Sequence, residues 1–355
     1  MCTLRTEYGL RLAIAVWFSA CSGVELACCL ALVLRGAAVI SIRSFRNDDL
    51  RAITEIWNHQ SQSRGRFQPM TRQVFEREVL SKPYFDRHSL IVAVADEIAV
   101  GFVHAAFAGD VNGRRLSNDL GIICALQVLP RPDRDQIGAQ LLRCAEEGLI
   151  SSGAANLQGG CMRNAAPFYG GLYGGCVASG VLASDALFLE WLVRAGYKIR
   201  DERLIYQRSV DSFRPAAQRA LLQVRRRHVV DVEGDLPAPS WWEACQRGNA
   251  HVSRLRLSPR DAPTQEVTAL SIWEPTGLQV QRTVAIVDWD CGRAGIDASV
   301  AEFLVGEAVL HCGQQGASTI EIQITAGDRR GQDLVECLGF DVVERGLCLV
   351  RDTHL

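Results

Sequence analysis

Internal repetition is the strongest constraint on what this chain can fold into. VLP (128–130) followed by IGAQLLRCAEEGLISSGAANL (137–157) parallels VDW (287–289) followed by DASVAEFLVGEAVLHCGQQGASTI (297–320). FLEWLVRAGYKIRDERLIYQR (188–208) likewise parallels DLVECLGFDVVERGLCLVR (333–351). Each copy runs apolar strand, short loop, amphipathic helix, strand, helix, strand, so two copies of one α/β unit are the simplest account. A chain of 355 residues gives each copy the size of an ordinary domain.

Between the repeats the alternation of strand and helix patterns continues. ISIRSF (40–45) reads as a strand, and NDDLRAITEIWNHQ as an amphipathic helix with Asn47 as N-cap and Leu50, Ile53, Ile56 and Trp57 on one face. Thr71 caps a second helix over 71–82. LIVAVADEIAVGFVHAAF (90–107) predicts two strands around the turn Asp96-Glu97, and LGIICALQVLP (120–130) a strand covered on both faces. Helices follow over 135–153, stopped at Gly153, and over 185–197, with Asp185 as N-cap and Gly196 as stop; Leu204–Val210 closes the first domain. In the second half, strands are expected at 251–258, 266–274, 282–289, 319–324 and 346–352, and helices at 299–316 and 329–340.

Composition narrows the function classes. With 48% hydrophobic and 22% charged residues and 11 Pro, the chain is neither disordered nor collagen-like. A net charge of -2 creates no global field toward nucleic acid or anionic lipid, and the run Arg225–Arg227 reads as a solvated face, so no nucleic-acid partner is expected. The 13 cysteines form no CxxC pair and no Cys/His zinc spacing, which points to reduced thiols, a cytoplasmic setting and no metal.

LAIAVWFSACSGVELACCLALVL (12–34) is discordant, because about 20 apolar residues suffice to span a bilayer. It reads as a signal-anchor, as a cleaved secretory signal, or as a segment outside the working protein upstream of the true start. The third reading is favoured, since Glu25 sits mid-segment and the thiol-rich remainder does not look exported. Membrane attachment is therefore expected only if residues 12–34 are retained.

The residues that carry chemistry lie at 124–142, CALQVLPRPDRDQIGAQLL, where a buried strand passes through a short loop into a helix. The first turn of a helix exposes N–H groups that no helical carbonyl satisfies, and the macrodipole adds about half a positive charge. Such a junction can cradle a diphosphate. Gly138 and Ala139 allow a ligand close to the first turn, and Arg131 and Arg134 reach phosphate oxygens from outside; a plain structural turn is the competing reading.

Strand, Pro, loop, Ile-Gly, helix, with an amphipathic helix before and an Ala-Gly-Tyr or Leu-Gly-Phe helix end after, resembles the GNAT acetyl-CoA-dependent acetyltransferases. Their pattern V-x-P-x-x-[Q/R]-x-x-G-x-[G/A] is matched by Val128, Pro130, Ile137, Gly138, Leu141 and Leu142; Asp133 replaces the Gln/Arg and Gln136 the first Gly. The resemblance covers both halves and implies a layered α+β fold: two GNAT-like domains, each a mixed, mostly antiparallel sheet flanked by helices. The expected organisation is an apolar segment 1–38, a first domain 39–212, a basic linker 213–230 and a second domain 231–355. In the second half the loop WDCGRAGIDAS has no Pro, and Asp297 takes the place of the last Gly/Ala, where its charge repels a diphosphate. That half is read as the weaker donor binder.

The resemblance further implies an acetyltransferase in which an amine attacks the thioester of acetyl-CoA directly. Donor-binding residues would be Leu126, Gln127, Val128, Arg131, Arg134, Asp135, Gln136, Ile137, Gly138 and Ala139, with backbone N–H groups of Leu126–Val128 polarising the carbonyl. The tyrosine that serves such enzymes as general acid is replaced by Leu192 and Val335. A substitute is sought in the Gly-rich insertion RNAAPFYGGLYGGCVASGVLAS (163–184): Tyr169 or Tyr173 donates the proton or shapes the acceptor pocket, or these aromatics pin a long loop to the surface. Asp119 is a candidate base through water, and His104 is expected to be structural. Trp241-Trp242 reads as a domain-interface anchor before an acceptor platform. The acceptor is a small-molecule or peptide amine, and the competing class is a catalytically silent acyl-CoA-binding or scaffold protein.

Overall fold

The computed structural model describes residues 40–248, 250–275, 282–289 and 295–352. The apolar stretch 12–34 lies outside them. Among the described residues no helix is long and apolar enough to cross a membrane.

The first lobe runs β1 (Ile40–Ser44), α1 (Leu50–His59), α2 (Arg72–Phe75, continued by a π turn Glu76–Leu80), β2 (Leu90–Ala95), β3 (Ile98–Gly109), β4 (Leu116–Val128), α3 (Arg134–Ser151), β5 (Asn156–Gly159), β6 (Val181–Leu182), α4 (Ala186–Arg194) and β7 (Lys198–Ser209). The second runs α5 (Arg219–Arg227), β8 (His228–Glu233), α6 (Trp241–Arg247), β9 (His251–Pro259), β10 (Thr268–Glu274), β11 (Thr283–Val287), α7 (Ala298–Gln314), β12 (Thr319–Thr325), α8 (Arg329–Cys337) and β13 (Asp341–Asp352). The expected layered architecture is present: a mostly antiparallel sheet with helices packed on it.

Local chemistry sets most boundaries. Thr71 caps α2 by accepting from the Val74 N–H, and Asp96 and Glu97, both at positive φ, turn β2 into β3. Gly153 and Gly196 end α3 and α4 at φ of 100° and 89°. One expected cap moves, and another keeps its place without its bond. Asn47 begins a 3₁₀ turn, and the N-cap of α1 is Asp49, whose carboxylate takes the Arg46 N–H and the Arg43 guanidinium. Asp185 is the N-cap of α4 as expected, but its carboxylate makes no cap bond because it is drawn into an ion pair with Arg66. The stretch 213–230, expected as a linker, forms α5, packed on α7, and the start of β8. Only Val224 of α5 is buried, so its polar periodicity hid it.

The sheet is continuous through both lobes, in the order β1-β2-β3-β4-β5-β13-β7-β12-β11-β10-β9-β8, with β6 on β13. The terminal strands are exchanged. β7 does not close the first lobe on β5; it pairs antiparallel with β12, Arg203 facing Thr325 and Ser209 facing Thr319. β13 takes the place beside β5, with Leu349 facing Gly159. Because the repeats are alike, either terminal strand matches either open edge, and the local pattern cannot assign the partner.

Candidate active site

β4 places the first lobe's strand junction. It pairs parallel with β5 only through Leu120–Ile123, and Cys124 bulges out, since His104 faces Ala125 while Ala105 faces Ile123. Beyond the bulge β4 runs on to Val128 whereas β5 stops at Gly159, so the strands part. Leu126, Gln127 and Val128 lie on that free stretch; all are buried, and Gln127 Oε1 has no partner.

The turn that follows is built differently from expectation. Arg131 folds back onto Asp133, Nη2 to Oδ2 being 2.9 Å, and holds that carboxyl below its ordinary value. Asp133, the N-cap of α3, therefore makes no side-chain cap, and the helix start keeps its free N–H groups. Arg134 reaches Gln60 Oε1 at 3.5 Å, its Nε is buried without a partner, and burial pulls its pKa down. Gln136 and Ala139 are exposed, and Ile137 is core. Gly138 does not admit a ligand. A Cβ there would lie 2.3–2.7 Å from the Trp191 ring, so the glycine lets α4 pack against α3. Trp191 Nε1 also donates to Asp135 Oδ1 at 3.3 Å, turning Asp135 toward α4.

The insertion is pinned into the core rather than onto the surface. Tyr169 stacks on Trp57 with ring centroids 5.4 Å apart, and its hydroxyl meets His104 Nδ1 at 3.0 Å. The Tyr173 hydroxyl donates to Asp185 at 3.0 Å and accepts from the Leu182 N–H. Burial raises both phenol pKa values well above normal and pulls the imidazole of His104 down to about 3. Asp119 sits apart from these groups, exposed near the start of β4 and bound by Ser117 Oγ. The far side of the loop reaches the second lobe. Buried Glu321 on β12 accepts from the Cys176 N–H at 2.9 Å and from Gln207 on β7. Gly175, at φ of 94°, allows this, since a Cβ would lie 2.4 Å from Glu321 Oε1. Trp242 packs over Gly109 and donates to the Asn164 carbonyl, in keeping with the interface-anchor reading.

In the second lobe β11 and β12 pair parallel over Thr283–Ile286 and Thr319–Ile322 and then part. A cavity of about 550 Å³ opens there, between their carboxyl ends, the first residues of the insertion and the start of β7. That is within the usual range for small-molecule sites. Its charged lining is Arg163, Arg200, Arg203, Asp201, Asp288 and Asp328. Asp288 sits at φ of 54°, left-handed backbone that a non-glycine residue seldom adopts. Partial desolvation pushes its carboxyl up, but two 2.8 Å bonds from Arg163 outweigh this and hold it below its ordinary value. The start of α7 is closed: Asp297 accepts from the Ser299 hydroxyl and from its N–H at 2.8 Å, and these bonds hold it below its ordinary pKa. The two lobes are thus complementary. One has a free helix start beside a buried strand end, the other an open cleft beside a capped helix.

None of these cavity residues was singled out from the sequence. The one available signal was Asp288, which stands in the repeat where Leu129 stands and puts a charge at the end of an apolar strand. Arg163, Arg200 and Asp328 come from three separate segments that only the fold brings together. Among the described residues no cluster of three or more His, Cys, Asp and Glu side chains is arranged to hold a metal.

No protein-family model and no curated protein matches the sequence. Solved structures do match. A tandem GNAT protein from the clavulanic acid biosynthesis pathway aligns over 88% of this chain and 98% of its own, at 12% identity and a TM-score of 0.59. A GCN5-related N-acetyltransferase from Sphaerobacter thermophilus aligns over 88% and 95%, at 15% identity and 0.59. The glucosamine N-acetyltransferase region of a fungal multi-domain β-N-acetylglucosaminidase aligns over 89% of this chain and 38% of that one, at 13% identity and 0.63. At these identities the likeness establishes the fold, a tandem pair of GNAT-type lobes.

Proposed function

We propose that this chain is an acyl-CoA-dependent N-acyltransferase that moves an acetyl group from acetyl-CoA to a primary amine, with the parted strands of the second lobe as the reacting cleft. The observation that carries this reading is the polar cavity of about 550 Å³ where β11 and β12 separate. In the first lobe the matching strand end, Leu126–Val128, is buried, and the glycine at its helix start is packed against Trp191. The obstacle in the second lobe is a solvent-exposed carboxylate on a helix start, which water or a competing anion replaces readily.

Bound acetyl-CoA supplies a thioester carbonyl, and the chain supplies position and proton transfer. The Asp328 carboxylate faces the cavity and takes the proton that the acceptor ammonium must lose before its nitrogen attacks, while Asp288 stays bound to Arg163. The C–N bond forms, the C–S bond breaks, and that proton is the one available to the leaving thiolate. A side-chain acid of the usual kind is lacking, since Leu192 and Val335 are both fully buried aliphatics.

That last fact favours a second reading, a silent acyl-CoA-binding or scaffold protein. Calorimetric titration with acetyl-CoA, followed by thiol release over an amine panel, separates the two. Release that depends on an amine supports the enzyme; binding without release supports the silent protein; no binding removes both.

A further inference from the structure

The charges around the interlobe cavity do not cancel among themselves. Arg163 is paired with Asp288 through two 2.8 Å bonds, and Arg203 with Asp201 at 3.0 Å. Among the described residues one cation and one anion are left. Arg200, at the start of β7, bonds only the Gln158 amide oxygen at 3.2 Å and the Cys348 sulfur at 3.3 Å, and among the described residues no carboxylate lies within ion-pair distance of it. Asp328, at the start of α8, accepts the Gly331 N–H with one oxygen and has no cationic side chain within that distance among the described residues.

From this remainder we infer that the cavity binds a zwitterion: a primary amine that also bears a carboxylate, of the free amino-acid class. The carboxylate meets Arg200, whose planar fork suits a two-oxygen acceptor. The ammonium meets Asp328. The uncharged part of the wall mixes apolar residues, Ile286, Ile324 and the half-buried Trp289 among them, with the amides of Gln158, Asn164 and Gln323, so it admits apolar and polar side chains alike. An amine without a carboxylate would leave Arg200 facing an uncharged group, and the further charges of a polycationic amine would find no unpaired carboxylate on this wall beyond Asp328 among the described residues. This assignment rests on the acyltransferase reading for its role as acceptor site, though not for its binding chemistry.

The test uses the whole chain and needs no donor. Phenylalanine and leucine are titrated calorimetrically beside their amides, their decarboxylated amines and the carboxylate-free polyamine kanamycin. The free amino acids are expected to bind about tenfold tighter or better, the worth of one charge-assisted hydrogen bond. Arg200→Met should cancel that preference. Asp328→Asn, which keeps a capping oxygen and so the fold, should weaken every amine while leaving the carboxylate preference in place. Equal binding of acids and amides, an unaffected Arg200→Met variant, or no binding of any amino acid overturns the inference. If the preference holds but no acyl-CoA yields thiol with any bound amino acid, the acyltransferase reading fails and the zwitterion site stands. If thiol release proceeds equally well with carboxylate-free amines, the enzyme stands and the zwitterion site falls.

Discussion

Arg66 brings a positive charge into the first lobe's interior, and its neighbours decide what that costs. Nη2 meets Asp185 at 2.5 Å, and the guanidinium lies 5.6 and 5.3 Å from the ring centres of Trp57 and Tyr173, while Nε and Nη1 find no acceptor. Removing one partner of a buried pair leaves the other charge uncompensated, at about 3–5 kcal/mol, whereas apolar replacement of both is close to neutral. Arg66→Met should therefore lose about that much unfolding free energy in a denaturant titration, and Arg66→Met/Asp185→Leu should recover most of it. Behind this pair, His104 is neutral because burial lowers its pKa to about 3. An unfolded imidazole titrates near about 6.5, so as pH falls below that value the unfolded chain takes up a proton the folded chain refuses. Stability is complete above about 6.5 and is lost on acidification toward 3, by at most about 1.4 kcal/mol per pH unit. His104→Gln should flatten the pH dependence of the denaturation midpoint across that window; an unchanged slope would assign the titration to another group.

The helix starts of α3 and α7 show how a single residue type changes what an element offers. Asp133 turns to Arg131 and leaves α3 uncapped, while Asp297, with no ion pair among the described residues, turns inward and closes α7. Asp297→Ala frees the first-turn N–H groups and removes a negative charge, so acetyl-CoA should bind several-fold tighter by calorimetry, at some loss of helix stability. Asp297→Asn, which keeps the cap, should gain less. No gain from either variant would move the phosphate site to α3. Most elements were legible beforehand, because the apolar residues of α3, α7 and the central strands recur at helical or strand spacing. α5 was not, with three arginines and one buried valine. The depth of the insertion was hidden too, since glycines and small residues around Tyr169 and Tyr173 read as a surface loop until Trp57, Phe75 and His104 are folded around them.

At the level of the whole molecule, the exchange of β7 and β13 makes the two lobes one folding problem. Repetition announced two copies, but it could not announce the exchange, because both terminal strands fit both edges. The cavity was illegible for the same reason: Arg163, Arg200, Asp288 and Asp328 meet only once each lobe carries the other's last strand. Cleavage in the segment between β7 and α5, 210–218, cuts no strand pair. The nicked chain should therefore run as one particle on size exclusion and come apart only in denaturant. Residues 40–212 and 213–352 produced separately face another outcome. The first half loses β13 from β5 and leaves β7 without either neighbour, and the second loses β7 from β12 and leaves β13 unpaired. It also leaves Glu321 without the Cys176 N–H and the Gln207 amide that hold it in the sheet. Each half alone should aggregate or show non-cooperative thermal melting by circular dichroism, and co-expression should restore a single cooperative transition. Halves that melt cooperatively on their own would mean that each can close with its own terminal strand, and that the exchange is a preference of the joined chain rather than a requirement of the fold.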